Sequence, residues 1–178
     1  MAGRKRSSKL TVYTIGHSTR SDDELLELLR ENGVTELWDV RTVPRSRTNP
    51  QFNTDVFGKW LRRRHVKYEH VPSLGGLRHA RADSPNTVWE NKSFRGYADY
   101  METDEFHTAL DALIEKAHQE TLAIMCSEAV WWRCHRSMIA DALVARGVRV
   151  EHIMGEGKLS EHKLRSFAHV VDDHVSYR

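Results

Sequence analysis

Residues 121–136 read TLAIMCSEAVWWRCHR, and this stretch decides the fold. Its first six residues are an apolar run of strand length, and a helical pattern begins at about Cys134 and continues to Arg146. Both cysteines of the chain lie at this junction, together with a carboxylate, an imidazole and a guanidinium group. The start of a helix binds anions and lowers the pKa of a thiol, so the junction is the first candidate for a functional site.

Strands and helices are predicted to alternate along the rest of the chain. The predicted strands are residues 10–15, 34–40, 66–71, 121–126 and 148–153. The predicted helices lie between Ser21 and Asn32 and at residues 55–65, 103–118, 134–146 and about 160–169. This alternation indicates an α/β fold, a three-layer sandwich around a mainly parallel, Rossmann-like sheet of about five strands.

Length and composition limit the classes of protein to which the chain belongs. The 178 residues suffice for one sizeable core, which predicts a single α/β domain at residues 10–178 after a basic, disordered tail at residues 1–9. The tail has no apolar segment typical of a secretion signal, and no apolar run approaches the roughly 20 residues that span a bilayer. We therefore expect a cytoplasmic protein without a membrane partner.

The chemically capable residues follow the ends of the predicted strands. In open parallel sheets, the ligand crevice lies outside the carboxyl ends of the strands, so these residues are expected to meet at one edge. The catalytic candidates are Cys126, Glu128, Cys134 and His17. The candidates for substrate binding are Gly16, Ser18, Asp39, Arg41, Gly75, Gly76, Trp132, His135 and Arg136.

Each type of residue indicates a role. Cys126 or Cys134 is the candidate nucleophile, while Glu128 and His17 are the candidates for proton transfer. Arg41 and Arg136 are expected to hold negative charge, although Asp39 with Arg41 also fits a structural ion pair. Cys126 alone fits a small core residue equally well. One of the adjacent tryptophans, Trp131 or Trp132, is predicted to stack on a planar ligand.

Known thiol motifs do not fit the spacing of the cysteines. The phosphatase pattern of His-Cys, five residues and Arg is absent, because Met125 precedes Cys126 and Arg133 lies one position too late. There is no Cys-x-x-Cys redox pair. Zinc bound by Cys126, Cys134 and a histidine such as His135 or His17 is a minority alternative, and no cofactor is predicted.

The long polar segment from Leu74 to Gly96 has no clear period. A connection of this length inside a compact domain is usually functional or mobile. Its glycines and its aromatic and basic residues favour a lid over the site, although a plain surface insertion has the same sequence features.

In combination, these motifs resemble the uncharacterised DUF family 488. The resemblance covers about Thr11 to Ile153 and depends on the following residues together: Gly16-His17-Ser18, Asp39-Val40-Arg41 with Pro44, Ser46 and Phe52, Leu74-Gly75-Gly76, Cys126-x-Glu128, Cys134-His135-Arg136 and His152-Ile153. It implies an α/β sandwich and no settled reaction.

Three functions are consistent with these observations. The first is an enzyme, a hydrolase or transferase, whose pocket binds a small anionic or planar substrate such as a nucleotide, a base or a nucleic-acid end. The second is a nucleic-acid-binding protein without chemistry, which depends on Arg45, Arg47 and Arg62–Arg64. The third is a zinc or thiol redox sensor. The sequence leaves the reaction and the oligomeric state open.

Overall fold

Strands and helices alternate from the first strand to the fifth, as the sequence predicts. The computed structural model describes residues 9–178. The strands are β1 Thr11–Gly16, β2 Glu36–Asp39, β3 Lys67–His70, β4 Leu122–Cys126, β5 Arg149–Gly155, β6 Lys158–Glu161, β7 His169–Val171 and β8 His174–Ser176. The helices are α1 Asp22–Glu31, α2 Thr54–Arg62, α3 Lys92–Tyr100, α4 Asp104–Gln119 and α5 Arg136–Ala145.

The first six strands form one sheet in the order β3-β2-β4-β1-β5-β6. Strands β1 to β5 are parallel to one another, and β6 is antiparallel to β5. The chain moves outward from β1 to β3 through α1 and α2, and returns from β3 to β5 through α3, α4 and α5. The connection that leaves β1 therefore runs toward the β3 edge of the sheet, whereas the connection that leaves the neighbouring strand β4 runs toward β5. Ligands of open α/β sheets bind at such a switch point.

Helices cover both faces of the sheet and give it three layers. Strand β4 shows how the sequence produces this arrangement, because its side chains alternate between two cores. Ala123 and Met125 join the core formed with α1 and α2, whereas Leu122 and Ile124 join the core formed with α4 and α5. A strand buried on both faces is apolar at every position, as β4 is.

Most of the predicted elements are confirmed. The five predicted strands are β1 to β5, and four of the predicted helices are α1, α2, α4 and α5. The Ser21 side chain accepts a hydrogen bond of 3.1 Å from the amide of Glu24 and so caps α1 as expected. However, the sheet has six strands, and β4 lies between β2 and β1, where the Rossmann order places β1 beside β2. The Rossmann-like order is not confirmed.

The prediction of a helix at about residues 160–169 is wrong. Gly157 adopts a φ of +64°, so the chain reverses directly after β5, and β6 pairs with β5 in an antiparallel hairpin. His162 and Arg165 then bind the Asp141 carboxylate of α5, each at 2.7 Å. These long-range polar contacts hold the segment in an irregular path that ends in the β7–β8 hairpin.

The segment predicted as a long loop is partly helical, because α3 begins within it. Before α3, the Arg81 amide, the Ser84 hydroxyl and the Asn86 side-chain amide donate hydrogen bonds of 2.6–2.8 Å to the Asp99 carboxylate. The segment is thus attached along α3. Whether it opens as a lid stays a prediction.

The basic tail predicted at residues 1–9 lies, apart from Lys9, outside the described residues. Within residues 9–178, no helix is both long enough and apolar enough to cross a membrane.

Candidate functional site

A cleft of about 880 Å³ lies outside the carboxyl ends of β1, β2 and β4, at the switch point of the sheet. This is the edge at which the sequence places the site. The predicted site residues that line the cleft are His17, Ser18, Arg41, Gly76, Cys126, Glu128, Cys134 and His135. The structure therefore brings residues that are more than a hundred positions apart in the sequence to one cleft.

Cys134 lies two residues before the first residue of α5 and lines the cleft. Its side chain is 6% exposed. Burial alone raises the pKa of a thiol, but the adjacent Cys126 side chain, the Arg136 amide and the Arg136 charge together hold the pKa of Cys134 below its ordinary value. Cys134 is therefore the more acidic of the two thiols.

His135 is oriented to accept a proton from Cys134. Its Nε2 lies 2.8 Å from the carbonyl oxygen of Val40 and donates to it, so Nδ1 carries the lone pair of the neutral ring. Nδ1 lies 3.4 Å from the sulfur of Cys134. Burial lowers the pKa of His135 and favours this neutral form. A nucleophile, a base and a group that orients the base are the components of a nucleophilic site.

Gly76 makes room for the His135 ring. A Cβ at this position would lie 2.6 Å from Nδ1 of His135, and the ring would have to move. The glycine at residue 76 therefore has a steric role beside the base.

Cys126 connects Cys134 to a buried arginine. Arg136 is fully buried, and its Nε donates to the sulfur of Cys126 at 3.0 Å. Burial and the neighbouring Cys134 raise the pKa of Cys126, so this thiol keeps its proton. Its Sγ donates to the carbonyl oxygen of Glu128 at 3.7 Å. The positive charge of Arg136 lowers the pKa of the neighbouring Cys134.

Arg136 has no carboxylate partner among the described residues. Its remaining N–H groups donate to the hydroxyl of Thr14 at 2.8 Å and to the carbonyl oxygens of Glu128 at 2.9 Å and Ala129 at 3.1 Å. A buried cation without a nearby anion is costly. A thiolate at Cys134, or an anion bound beside it, would balance this charge.

Arg41 is buried as well, but its charge is already paired. Its Nε and Nη2 donate to the two carboxylate oxygens of Asp39 at 2.8 and 2.6 Å, and Nη2 also donates to the Phe52 carbonyl oxygen at 2.7 Å. Nη1 lies 3.3 Å from Nε2 of His17, which must be the acceptor because a guanidinium only donates. The other ring nitrogen of His17 donates to the Ser18 carbonyl oxygen at 2.8 Å.

These contacts define the state of His17. Burial lowers the pKa of His17, and the adjacent Arg41 acts in the same direction. The ring is therefore neutral, with both nitrogens engaged by the protein. The proton-transfer role predicted for His17 is less well supported by this geometry than the same role for His135.

Five of the residues predicted to bind substrate do not line the cleft, namely Gly16, Asp39, Gly75, Trp132 and Arg136. Asp39 and Arg136 are fully buried and act through neighbouring groups. The two glycines allow close packing, because a Cβ at Gly16 would overlap the Glu128 carbonyl oxygen and one at Gly75 would crowd Thr42. Their contribution is to the shape of the cleft.

The adjacent tryptophans diverge, and neither lines the cleft. Trp132 is 50% exposed, while the Trp131 ring stacks on His152 with centroids 4.6 Å apart and an angle of 2° between the planes. The expected position of Trp132 in the pocket is therefore wrong. Phe94, near the start of α3, is an aromatic side chain that does line it.

Three polar residues of the cleft are not among the predicted catalytic or substrate-binding residues. Arg45 and Arg133 are exposed, line the cleft and make no ion pair within residues 9–178. Asn91, which caps α3 by accepting from the amides of Ser93 and Phe94, also lines it. The position of Asn91 before an amphipathic segment indicates a helix cap. The polar loop that surrounds Asn91 in the sequence obscures this pattern.

The arginines considered for nucleic-acid binding do not form one surface. Arg45 and Arg47 follow β2 on the cleft side. Arg62–Arg64 lie at the end of α2 and precede β3, which places them at the opposite edge of the sheet. There Arg62 donates to a carbonyl oxygen of β3, and the cations complement the dipole at the end of α2.

Cys126 and Cys134 are both free thiols. Among residues 9–178, no three or more His, Cys, Asp or Glu side chains are grouped in a way that could hold a metal ion. The Glu128 carboxylate is exposed at the cleft and makes no ion pair with the described residues.

Comparison with known proteins adds a family and no reaction. A family model described as "Domain of unknown function DUF488" matches residues 21–143, more than half of the chain. The match includes Cys126, Cys134 and Arg136, begins after His17 and ends before His152. No curated protein and no solved structure matches the chain.

Proposed function

The chain belongs to the family described as "Domain of unknown function DUF488", which names no reaction, and we propose its function from the geometry of the cleft. We propose that the protein is an enzyme that binds a small anionic substrate in the cleft and attacks it with the thiolate of Cys134. The observation that carries this proposal is the position of Cys134, which lines the cleft, contacts a base at 3.4 Å and is acidified through Cys126 and Arg136.

The proposed reaction has two steps. His135 Nδ1 accepts the proton of the Cys134 thiol, which gives a thiolate beside a protonated imidazole, and the sulfur attacks the electrophilic atom of the substrate. The leaving group departs with the bonding electron pair and takes the proton from His135, which leaves a covalent adduct on Cys134. Water or another acceptor then attacks the adduct while His135 removes its proton, the bond between the sulfur and the adduct breaks, and the departing Cys134 thiolate takes that proton from His135. Water makes the enzyme a hydrolase, and any other acceptor makes it a transferase.

The charges around the cleft favour an anionic substrate. Arg45 and Arg133 offer guanidinium groups that no described carboxylate neutralises. The starts of α3 and α5 both border the cleft, and the partial positive charge at the start of a helix attracts anions. These four features support recognition of a phosphate or carboxylate group.

The size and remaining lining support a substrate about as large as a nucleotide. A volume of about 880 Å³ falls within the range of roughly 300–1,000 Å³ that is typical of small-molecule sites. Phe94 offers an aromatic face, and Glu128 offers an acceptor for an amino group. An anionic group near Arg45 and Arg133, with a planar group elsewhere in the cleft, matches this distribution.

The test compares two alkylating agents that differ in charge. Iodoacetate is anionic and iodoacetamide is neutral, so the ratio of their rates measures how strongly the cleft concentrates an anion beside the thiolate. We expect peptide mass spectrometry to place both labels on Cys134, with a rate ratio that exceeds the ratio for free glutathione. Arg45→Gln and Arg133→Gln should lower the ratio, whereas Arg63→Gln, at the opposite edge of the sheet, should leave it unchanged.

Two results contradict the proposal. Labelling that is no faster than that of a denatured control, or that occurs equally on Cys126, removes Cys134 as the nucleophile. Rate ratios that respond equally to Arg63→Gln and to Arg133→Gln remove the anion site. If duplex DNA or RNA binds with a steep salt dependence that is abolished in Arg63→Gln, the non-catalytic alternative gains support.

A further inference from the structure

A continuous chain of buried hydrogen bonds leads from Arg136 away from the cleft. Arg136 Nη1 lies 2.8 Å from Thr14 Oγ1, which lies 2.5 Å from Nδ1 of His152. His152 Nε2 lies 2.9 Å from Nδ1 of His162, and His162 Nε2 lies 2.7 Å from Oδ1 of Asp141. None of the five side chains is more than 3% exposed. We call these five residues the buried relay.

When both histidine rings are neutral, the two ends of the buried relay fix the direction of every bond. A guanidinium only donates and a carboxylate only accepts, so Thr14 accepts from Arg136 and donates its own proton to Nδ1 of His152. His152 then donates from Nε2 to His162, and His162 donates from Nε2 to Asp141. Each ring therefore carries one proton, on Nε2. Burial lowers the pKa of His152 to about 2, with a further contribution from His162, which agrees with a neutral ring.

The far end of the buried relay is held by the end of the chain. Asp141 Oδ2 accepts from Nη2 of Arg165 at 2.7 Å and from the Tyr177 hydroxyl at 2.7 Å. His162 and Arg165 belong to the segment whose predicted helix is absent. The irregular path of this segment brings the side chains of His162 and Arg165 to Asp141 of α5.

The near end of the buried relay holds the loop that lines the cleft. Arg136 Nη2 donates to the carbonyl oxygens of Glu128 and Ala129, and the Trp131 ring of the same loop stacks on His152. The relay therefore touches the loop through hydrogen bonds at one point and through an aromatic stack at another.

We propose that Thr14, His152 and His162 are positioning residues, which hold the Arg136 guanidinium so that its Nε–H is directed at Cys126 and keeps Cys134 reactive. This inference rests on the proposed function, since it takes Cys134 as the reacting group. A buried polar group is no more stabilising than well-packed apolar residues of similar volume. An uninterrupted relay of five such side chains that ends on the arginine behind the nucleophile is better explained by orientation than by stability.

The decisive variant is Thr14→Val, which has nearly the shape of threonine and lacks the hydroxyl. It removes the acceptor for Arg136 and the donor for His152, while Thr14→Ser keeps both. We expect the rate of iodoacetamide labelling of Cys134 at neutral pH to fall by roughly fivefold in Thr14→Val, a factor that corresponds to the loss of one hydrogen bond. The labelling rate should then rise at a higher pH than in the wild type, and Thr14→Ser should restore the wild-type profile.

A second measurement needs no variant. Imidazole nitrogen NMR of the wild-type protein should show His152 and His162 as neutral rings protonated on Nε2 at pH 7. Charged rings, or the opposite tautomer at either position, would overturn the direction of the relay.

The outcomes separate this inference from the proposed function. If wild-type Cys134 is reactive and Thr14→Val lowers only the melting temperature, the relay is structural and the positioning role is wrong. If wild-type Cys134 is itself unreactive, the proposed function fails regardless of any variant. A labelling profile that shifts in Thr14→Val and returns in Thr14→Ser supports the inference, because a general loss of stability would not move the pH of half-maximal labelling.

Discussion

Arg41 and Arg136 are both buried at the cleft edge of the sheet, but among residues 9–178 only Arg41 has a carboxylate beside it. Arg41 follows β2, and Asp39 on the same strand binds its guanidinium through two oxygens. Arg136 begins α5 after β4 and donates to a sulfur, a hydroxyl and two carbonyl oxygens. The charges of Asp39 and Arg41 at β2 neutralise each other, whereas Arg136 after β4 has no carboxylate partner among the described residues. This difference is the reason that the proposed chemistry is placed at β4.

The largest predicted effect is on stability and concerns the paired arginine. Arg41→Met leaves the Asp39 carboxylate buried without its cation, and loss of one partner of a buried pair typically costs about 3–5 kcal/mol. Arg136→Met leaves no carboxylate unpaired, and we expect a smaller loss. Denaturant unfolding of both variants gives the comparison. Equal losses would show that the two arginines are energetically alike.

The second prediction concerns the reactivity of Cys134, which Arg136→Met should lower more than Arg41→Met does. Arg136→Met removes the charge that lowers the pKa of Cys134, and loss of a nearby opposite charge moves a pKa by roughly one unit or more. Labelling of Cys134 by iodoacetamide at neutral pH should therefore fall by about tenfold. Arg41→Met, measured where it is fully folded, should change the rate little. A larger fall in Arg41→Met would place the activating charge at β2.

The third prediction concerns pH and the histidines behind Arg136. Because the pKa of His152 is lowered to about 2 in the folded protein, the unfolded chain binds the extra proton below its ordinary value of 6.5 and folding becomes less favourable there. This group alone should reduce the free energy of unfolding by roughly 1.4 kcal/mol per pH unit below 6.5. Unfolding curves at pH 7, 6 and 5 measure the slope, and His152→Gln should make it shallower. An unchanged slope in that variant would assign the acid sensitivity elsewhere.

The smallest predicted effect belongs to Glu128. Arg136 donates to the backbone carbonyl oxygen of Glu128, and the Glu128 carboxylate is exposed without an ion pair among the described residues. Glu128→Gln should therefore change stability by no more than about 0.5 kcal/mol. A thermal melt checks this, with Asp39→Asn as the contrasting variant. A large destabilisation in Glu128→Gln would mean that the carboxylate does neutralise Arg136.

The sequence could predict the features of the fold and the site that depend on local patterns of residues. Alternating apolar runs and helical periods identify β1 to β5, and the rule that strand ends meet at one edge brings Cys126 and Cys134 to a cleft. The direction of Arg136 is not local, since its partner Thr14 lies on β1 and the histidines behind Thr14 lie on and after β5. An arginine at the start of a helix looks the same in sequence whether it faces a ligand or the core. The same limit applies to residues 160–169, where buried polar contacts determine the path.

Titration of the thiolate tests most directly whether Cys134 is the nucleophile. Ultraviolet absorbance of the thiolate, followed as a function of pH, should show a transition in the wild-type protein below the ordinary pKa range of cysteine. That transition should disappear in Cys134→Ser and move to higher pH in Cys126→Ala, because the Cys126 side chain, which helps to lower the pKa of Cys134, is then absent. A low-pH transition that persists in Cys134→Ser, or its absence from the wild-type protein, would contradict the assignment of Cys134 as the nucleophile.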